Sequence, residues 1–359
     1  STDVNKLSKK IRKFNNDKKK IDGIFVMGTD LPQIAAKLSK FIKTKIYKNF
    51  SSKYSKNKIL MKKLFKKKKI NIPNFKEIKD FPQLINYLRD KKKIVIKPLD
   101  LAGSRGVYLI KKNLKYSKIK NLYTGAKSFT KLNSLIAEEF LEGPQLSTET
   151  IVVNNKTRTI GFADRNYEFL KKFEPKIIEN GGTMPSKYLK THFKDVQKTI
   201  EKIKKALKIS NGVIKGDLVI HKKKIYVIEI AYRLSGGDFS ESLIPLNTGI
   251  DFIKLALRQC VGEKISLRKI KIKNKLFVMN RYFFPKEGVL KKIEGIEKIK
   301  NKDYIKKIDF NYKKNQRIPT INSHKDRGGV FVIVGKNYQE ANQRVKFVYS
   351  KINFVNYKR

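Results

Sequence analysis

Two carboxylates stand where chemistry could use them. The segment GVIKGDLVIHKKKIYVIEIAYRLSGG (212–237) puts Asp217 at the head of one apolar run and Glu229 inside the next, with HKKK between the runs. Two such runs around a short polar turn predict an antiparallel hairpin, and pairing across it can bring both carboxylates to one face. Buried side by side they repel, unless a cation lies between them or each forms a structural pair with an arginine. Oxygen-only ligands of this kind select Mg²⁺ or Mn²⁺. Arg233 follows four residues after Glu229, and Gly236-Gly237 come next, a cationic fork beside flexible backbone that suits an anionic substrate.

A second segment, KKKIVIKPLDLAGSRGVYLI (91–110), is strand, glycine loop, strand, with no room for a helix. The Walker loop and the dinucleotide fingerprint both lead into a helix, so neither is present. A hairpin loop of this type either folds over a triphosphate, with Gly103 and Gly106 admitting close backbone approach and Ser104 and Arg105 adding donors, or is simply a turn that needs positive φ. A third segment, LIAEEFLEGPQLSTETIVVNN (135–155), gathers Glu138, Glu139, Glu142 and Glu149 around a Gly-Pro turn. It reads either as a solvated edge or as a linker whose backbone meets an adenine edge while a polar neighbour takes ribose hydroxyls.

The elements that must position these groups follow from periodicity. Residues 3–20 read as a basic helix and 21–30 as an apolar strand, followed by a helix from Leu31 with Pro32 near its start, a βα unit with its loop at the strand's carboxyl end. SSKYSKNK (51–58) reads as a polar connector. ILMKKLFKKKK reads as an amphipathic helix with a solvated lysine face, and a further helix is centred on FPQLINYLRD. Beyond about 265, LFVMNRYFF, GGVFVIVG and the helix NYQEANQRVKFVYSKI make a small α+β module in which Arg327, before Gly328-Gly329, either faces a cleft or, the favoured reading, serves packing and turn geometry.

Composition limits what the chain can be. It has 359 residues with 84 Lys plus Arg against 31 Asp plus Glu, a formal charge of +53, and 40% hydrophobic residues, enough for folded domains. A basic excess of this size raises nucleic acid as a partner. Only 13 of the 84 cations are Arg, however, and the Lys are dispersed from Lys6 to Lys358, which reads as a solvated surface enriched in the residues of A+T-rich codons. A single Cys260 and three scattered histidines (His192, His221, His324) exclude a cysteine zinc cluster and a disulfide framework. No run of about 18 apolar residues spans a membrane, and the N-terminus lacks the apolar core of a signal peptide, so the expected location is the cytoplasm.

Taken in order, SKNKILMKKL, IVIKPLDLAGSRGV, IAEEFLEGPQLSTE and GVIKGDLVIHKKKIYVIEIAYRLSGG resemble the successive motifs of the ATP-grasp superfamily of carboxylate–amine ligases, and most of all its carbamoyl-phosphate synthase and phosphoribosylglycinamide synthetase branch. The resemblance implies an α/β and α+β multidomain architecture: the remainder of a Rossmann-like domain at 1–52, an ATP-grasp domain at 53–262 divided at 128/129, and a C-terminal α+β module at 263–359. It implies that Lys58 and Lys97 contact phosphate and that the loop holding Gly103, Ser104 and Gly106 covers the triphosphate. It further implies that Glu138, Glu139, Phe140 and Leu141 form the adenine linker, with Gln145 at the ribose. Asp217 and Glu229 would hold Mg²⁺ (or Mn²⁺), Arg233 and Arg105 would act on the transferred group, and Gly236 and Gly237 would face the substrate.

Three departures qualify the match. Gln145 replaces the linker acid, Ala231 replaces the asparagine of Glu-x-Asn-x-Arg, and the first βαβ of the Rossmann-like domain is missing, which implies a preceding segment in the natural protein. The expected activity is ATP- and Mg²⁺-dependent joining of a small carboxylate to an amine through an acylphosphate. The alternatives are a bicarbonate-activating enzyme and a non-catalytic cationic nucleic-acid-binding protein. The expected partners are the small-molecule carboxylate and amine, with no specific nucleic acid and no membrane, and a homodimer is the expected assembly.

Overall fold

In the computed structural model the described residues are all but 1–2, 18–19, 30, 43–45, 102, 131, 274–275 and 358–359. The site rests on two sheets. The N-terminal lobe has β1 (Phe75–Ile78), β2 (Lys93–Pro98), β3 (Tyr108–Lys111) and β4 (Leu135–Glu139) in the order β1-β4-β2-β3. Each neighbouring pair is antiparallel, and the expected glycine-loop hairpin is β2–β3, with Ile94 opposite Ile110. One face of this sheet is sealed by the helices Phe81–Leu88 and Tyr116–Ser128, whose Leu84, Leu88, Ile119 and Ala126 pack on Ile94, Ile96 and Leu135. The first helix begins at Asp80, which caps Gln83 N–H at 2.9 Å.

The second sheet is larger. Its strands β5 (Gln145–Val153), β6 (Lys156–Arg165), β7 (Gly182–Met184), β8 (Gly212–His221) and β9 (Lys224–Ala231) are joined by β10 (Phe277–Phe283) and by two strands further on. After β10 the chain runs through β11 (Gly288–Glu294), β12 (Ile305–Phe310), β13 (Arg317–Ile318), β14 (Gly329–Gly335) and β15 (Asn353–Asn356). The large sheet has the order β12-β14-β10-β7-β6-β5-β8-β9, and β13, β11 and β15 make a small third sheet. Residues after 262 therefore contribute three strands to the sheet that carries Asp217 and Glu229. The helix Leu189–Leu207 covers that sheet with Val196, Ile200, Ile203 and Leu207, an i, i+4, i+7, i+11 stripe that gives a core-facing side at 3.6 residues per turn.

Three local expectations change. Residues 21–26 form no strand among the described residues; Met27 makes an isolated parallel bridge to Leu234, and Gly28 N–H donates to Leu234 O at 3.1 Å. Apolar composition there reflects burial of Val26 against the main core, not pairing in a ladder. The expected connector at 51–58 is mostly helix, Asn49–Lys56, because Ser51 and Ser52 are buried and Ser51 Oγ donates to Leu207 O at 2.8 Å. The helix Lys58–Lys67 is present, but its lysines are not all solvated: Lys62 is 1% exposed. Asp30 and residues 18–19 of the expected first helix lie outside the described residues, and the helix there is Val4–Asn16.

Candidate functional site

Asp217 and Glu229 are direct cross-strand partners in the β8–β9 hairpin, and the register slips between Asp217 and Leu218, leaving Ile228 as an extra residue on β9. A bulge re-aims side chains and leaves a carbonyl outside the ladder. Here the Ile228 carbonyl accepts Lys62 Nζ at 3.1 Å, so the fully buried lysine secures the bulge beside Glu229. Lys62 also lies 3.2 Å from Glu138 Oε1, and Lys97 on β2 lies 3.0 Å from the same oxygen. Burial pulls Lys62 down to about 8 against the opposing pull of Glu138. Glu138 is itself buried, which raises its pKa, but Lys62 and Lys97 outweigh that and hold it below the ordinary carboxylate range.

The two hairpin carboxylates are ionised for the same kind of reason. Burial would protonate Glu229, yet Lys58, 3.1 Å away, together with Lys97 and Lys215 brings it down to about 2. Asp217 is pulled lower still: burial opposes ionisation, and Arg165 at 3.2 Å with Lys215 overcomes it, while Ser147 Oγ donates to Oδ1 at 3.0 Å. Both readings of the pair thus meet in one place. Asp217 does pair with an arginine, and the two carboxylates also share one face of one cavity.

That cavity, about 470 Å³, lies between the lobes. Lys58, Lys97, Gly103, Ser104, Glu138, Glu139, Phe140, Leu141, Gln145, Asp217, Glu229, Arg233, Gly236 and Gly237 all line it. Lys58 also donates to Leu101 O at 2.8 Å, which ties the start of the glycine loop to Glu229. In the linker, Glu139 N–H donates to Asn74 O and Phe140 N–H to Lys93 O, so two of its backbone donors are already used inside the lobe.

Arg105 and Gly106 fall outside the lining. Gly106 turns inward at φ +66°, and a β-carbon there would meet Phe129 at 2.9 Å and Pro98 at 3.0 Å, so its glycine serves the packing of the loop's base. With that base fixed, half-buried Arg105 is carried off the cavity wall.

The structure adds residues that the sequence left unmarked. Arg165 bridges Asp217 and Glu179, and Glu179, Tyr167, Lys215, Asn280, Tyr282 and His324 line the cavity beside it. Arg327 is also a lining residue, not only a turn residue: its guanidinium lies 3.7 Å over the Tyr282 ring and donates to Glu179 O. Asn280 on β10 accepts Gly182 N–H at 2.7 Å and donates to Gly237 O at 3.0 Å, which fixes the glycine pair against the sheet. Beneath it, buried Glu149 accepts Ser235 N–H at 2.5 Å and Ser240 Oγ at 2.8 and 2.9 Å; burial raises its pKa against those bonds. Glu149 already stood in the acid cluster of 135–155; the scarcity of acids is the signal that could have marked Glu179, and Lys171, Lys172, Glu174 and Lys176 just before it blur that signal.

A Mg²⁺ ion fits the donor set. Two adjacent ionised carboxylates are hard oxygen donors, and Ala231 lines the cavity where the motif has asparagine, so among the described residues Asp217 and Glu229 are the pair that could hold the ion. Among the described residues no group of three or more His, Cys, Asp and Glu side chains could hold a metal ion.

A family model described as ATP-grasp domain matches residues 55–237, just over half of the chain. The chain belongs to the ATP-grasp family. A second model, L-amino acid ligase C-terminal domain 2, matches residues 281–356, which include the end of β10, all of β14 and Arg327. No curated protein matches the chain by sequence. Among solved structures, L-amino acid ligase from Bacillus licheniformis aligns over 99% of this chain and 86% of its own, with a TM-score of 0.83 at 18% identity. Phosphoribosylglycinamide synthetase from Anaerococcus prevotii aligns over 99% and 87%, with a TM-score of 0.73 at 19% identity. The biotin carboxylase domain of Hydrogenobacter thermophilus 2-oxoglutarate carboxylase, solved with MgADP and bicarbonate, aligns over 92% and 73% at 14% identity and a TM-score of 0.68. These likenesses extend the ATP-grasp fold over nearly the whole chain, in agreement with the motif resemblance. None of the described helices is long and apolar enough to cross a membrane.

Proposed function

We propose that this ATP-grasp protein is a ligase that uses ATP and Mg²⁺ to phosphorylate a small carboxylate and then joins the acyl group to an amine, releasing ADP and phosphate. The observation that carries the reading is the convergence on one cavity of the ionised Asp217–Glu229 pair, Lys58 and Lys97, and the loop at Gly103-Ser104. Phosphoryl transfer needs positioning and charge neutralisation more than covalent participation by the protein, and this wall supplies both.

In this reading Lys58 and Lys97 neutralise phosphate oxygens, Gly103 and Ser104 cover them, and the linker from Glu138 to Leu141 takes the base through its Leu141 end, with Gln145 at the ribose. Asp217 and Glu229 would hold Mg²⁺, which supplies charge neutralisation on the transferred phosphoryl group. Arg233 and the Gly236-Gly237 backbone orient the anionic acceptor. Arg105, away from the cavity, takes no part. The match of residues 281–356 to the L-amino acid ligase C-terminal domain, with Arg327 on the wall, favours an amino acid as the carboxylate substrate.

The test is phosphate release from ATP against pools of amino acids and other carboxylates, each with and without amines, followed by mass analysis of the product. Release that needs both a carboxylate and an amine, with an amide product, is the expected result. Release that needs bicarbonate alone, with labelled carbon in the product, overturns it in favour of carboxylation. If MgADP at about 100 times a micromolar Kd fails to raise the melting temperature, there is no nucleotide site, since a real one stabilises by about 2.7 kcal/mol.

A further inference from the structure

One side chain in the cavity joins distant segments of the chain and is unused by the chemistry above. His324 begins a short turn after β13, yet its ring reaches the glycine loop of the other lobe, with Nε2 3.1 Å from Ser104 Oγ. Its backbone N–H donates to Gly103 O at 3.2 Å. The same Nε2 accepts the backbone N–H of Glu179 at 3.3 Å. A backbone N–H can only donate, so Nε2 presents its lone pair, the ring proton is on Nδ1, and the Ser104 hydroxyl donates as well. Glu179 in turn holds Arg165 with its carboxylate and Arg327 with its carbonyl. Burial, with Arg327 and Arg165 nearby, keeps the ring neutral, as a double acceptor must be.

Ser104 supports the same conclusion from the backbone. Its φ is +58°, in the left-handed region, flanked by Gly103 at +72°. A residue with a β-carbon spends about 1–2 kcal/mol there that glycine does not. The chain nevertheless carries a hydroxyl at that point, and the hydroxyl meets His324. Nearby contacts run the same way: Leu109 N–H donates to Pro175 O at 2.7 Å, Lys111 pairs with Glu174, and Lys176 Nζ reaches Ile321 O at 3.2 Å. The strip 174–179 is thus gripped by the glycine-loop hairpin on one side and by residues 321–324 on the other.

We propose that His324 is a positioning residue that latches the glycine loop, closed over the nucleotide, to the backbone that orients Glu179 and Arg165. Loop closure and ordering of the Glu179–Arg165 wall beside Asp217 then become one step. The inference rests on the reading of the cavity as an ATP site.

Calorimetry with MgADP separates the two. Wild-type protein that does not bind MgADP sinks the ATP-site reading and the latch with it. If it binds, Ser104→Ala and His324→Phe should each weaken binding about fivefold to tenfold, the range of one or two lost hydrogen bonds. His324→Gln, whose amide oxygen can accept from both donors, should recover most of the loss, and the double variant Ser104→Ala/His324→Phe should be no weaker than His324→Phe alone. Additive losses, or a glutamine variant no better than phenylalanine, would overturn the latch while leaving the nucleotide site standing. If His324→Phe does not fold, Ser104→Gly decides: it relieves the backbone and should melt no lower than wild type, yet bind MgADP more weakly. Wild-type affinity in both serine variants refutes the proposal.

Discussion

The two walls of the cavity handle charge differently. On the N-terminal wall Lys62 and Lys97 converge on a single carboxylate, Glu138, so the cluster keeps a net positive charge in a buried place. On the opposite wall Arg165 is held between two carboxylates, Asp217 and Glu179, while Lys215 pairs with Asp217 and Arg327 donates to the Glu179 carbonyl. Two buried cations that share one carboxylate cost stability unless an anion arrives, whereas an arginine held between two carboxylates keeps its geometry by itself. On the proposed reading the first wall would receive phosphate, and the second would hold side chains in place around it.

The sharpest way to break this contrast is to remove the carboxylate the lysines share. Glu138→Ala should cost about 3–5 kcal/mol in urea unfolding, because it strands buried Lys62 and Lys97 together. A loss below about 1 kcal/mol would mean the cluster is solvated. Next in size is pH. The folded pKa of Lys62 is about 8, which is below its unfolded value, so the unfolded chain binds more protons between the two, and stability gains from this group as pH rises from about 8 to 10.5. The stability of wild type relative to Lys62→Met should therefore rise by about 3 kcal/mol across that window. Glu229 gives the same sign in the acid range, because its folded pKa is also depressed: its contribution is present above pH 4.5 and disappears as pH falls toward 2, so Glu229→Gln should flatten the acid limb of the stability curve. A flat difference in either window contradicts the charge assignment.

Glu229→Gln should also lower Mg²⁺-dependent ATP turnover by about 100-fold with the fold retained, and turnover at wild-type level would remove Glu229 from the metal site. Lys97→Ala should weaken MgADP about tenfold, as expected for one charge-assisted contact, and unchanged affinity refutes its phosphate role. The smallest effect belongs to Gly106→Ala, about 1–2 kcal/mol in thermal unfolding from positive φ and contact with Phe129, with nucleotide affinity nearly preserved. A large affinity loss there would return the position to the binding surface.

The two hairpins were legible in sequence because each is a local pattern: apolar alternation, a short polar or glycine turn, apolar alternation again. The pattern put Asp217 and Glu229 on the two arms of one hairpin, but symmetry about the turn would place Asp217 opposite Ile228, and only the bulge at Ile228 brings Glu229 into register with it. Lys62 was not legible, because its helix carries lysines all around and only docking on β9 decides which one is buried. Residues 21–30 failed for the reverse reason, since an apolar run records burial without naming the partner that would make it a strand.

By itself the sequence determined which turns form, which residues with phosphate and metal chemistry lie near them, and the order of motifs that the ATP-grasp family shares. Tertiary structure alone decided which of those residues face one another. It placed Arg165, Glu179, Arg327 and His324 on the cavity and left Arg105 and Gly106 off it. The physical reason is distance along the chain: turn chemistry and periodicity act over a few residues, whereas the Ser104–His324 contact joins positions 220 apart and exists only when both lobes are folded and docked.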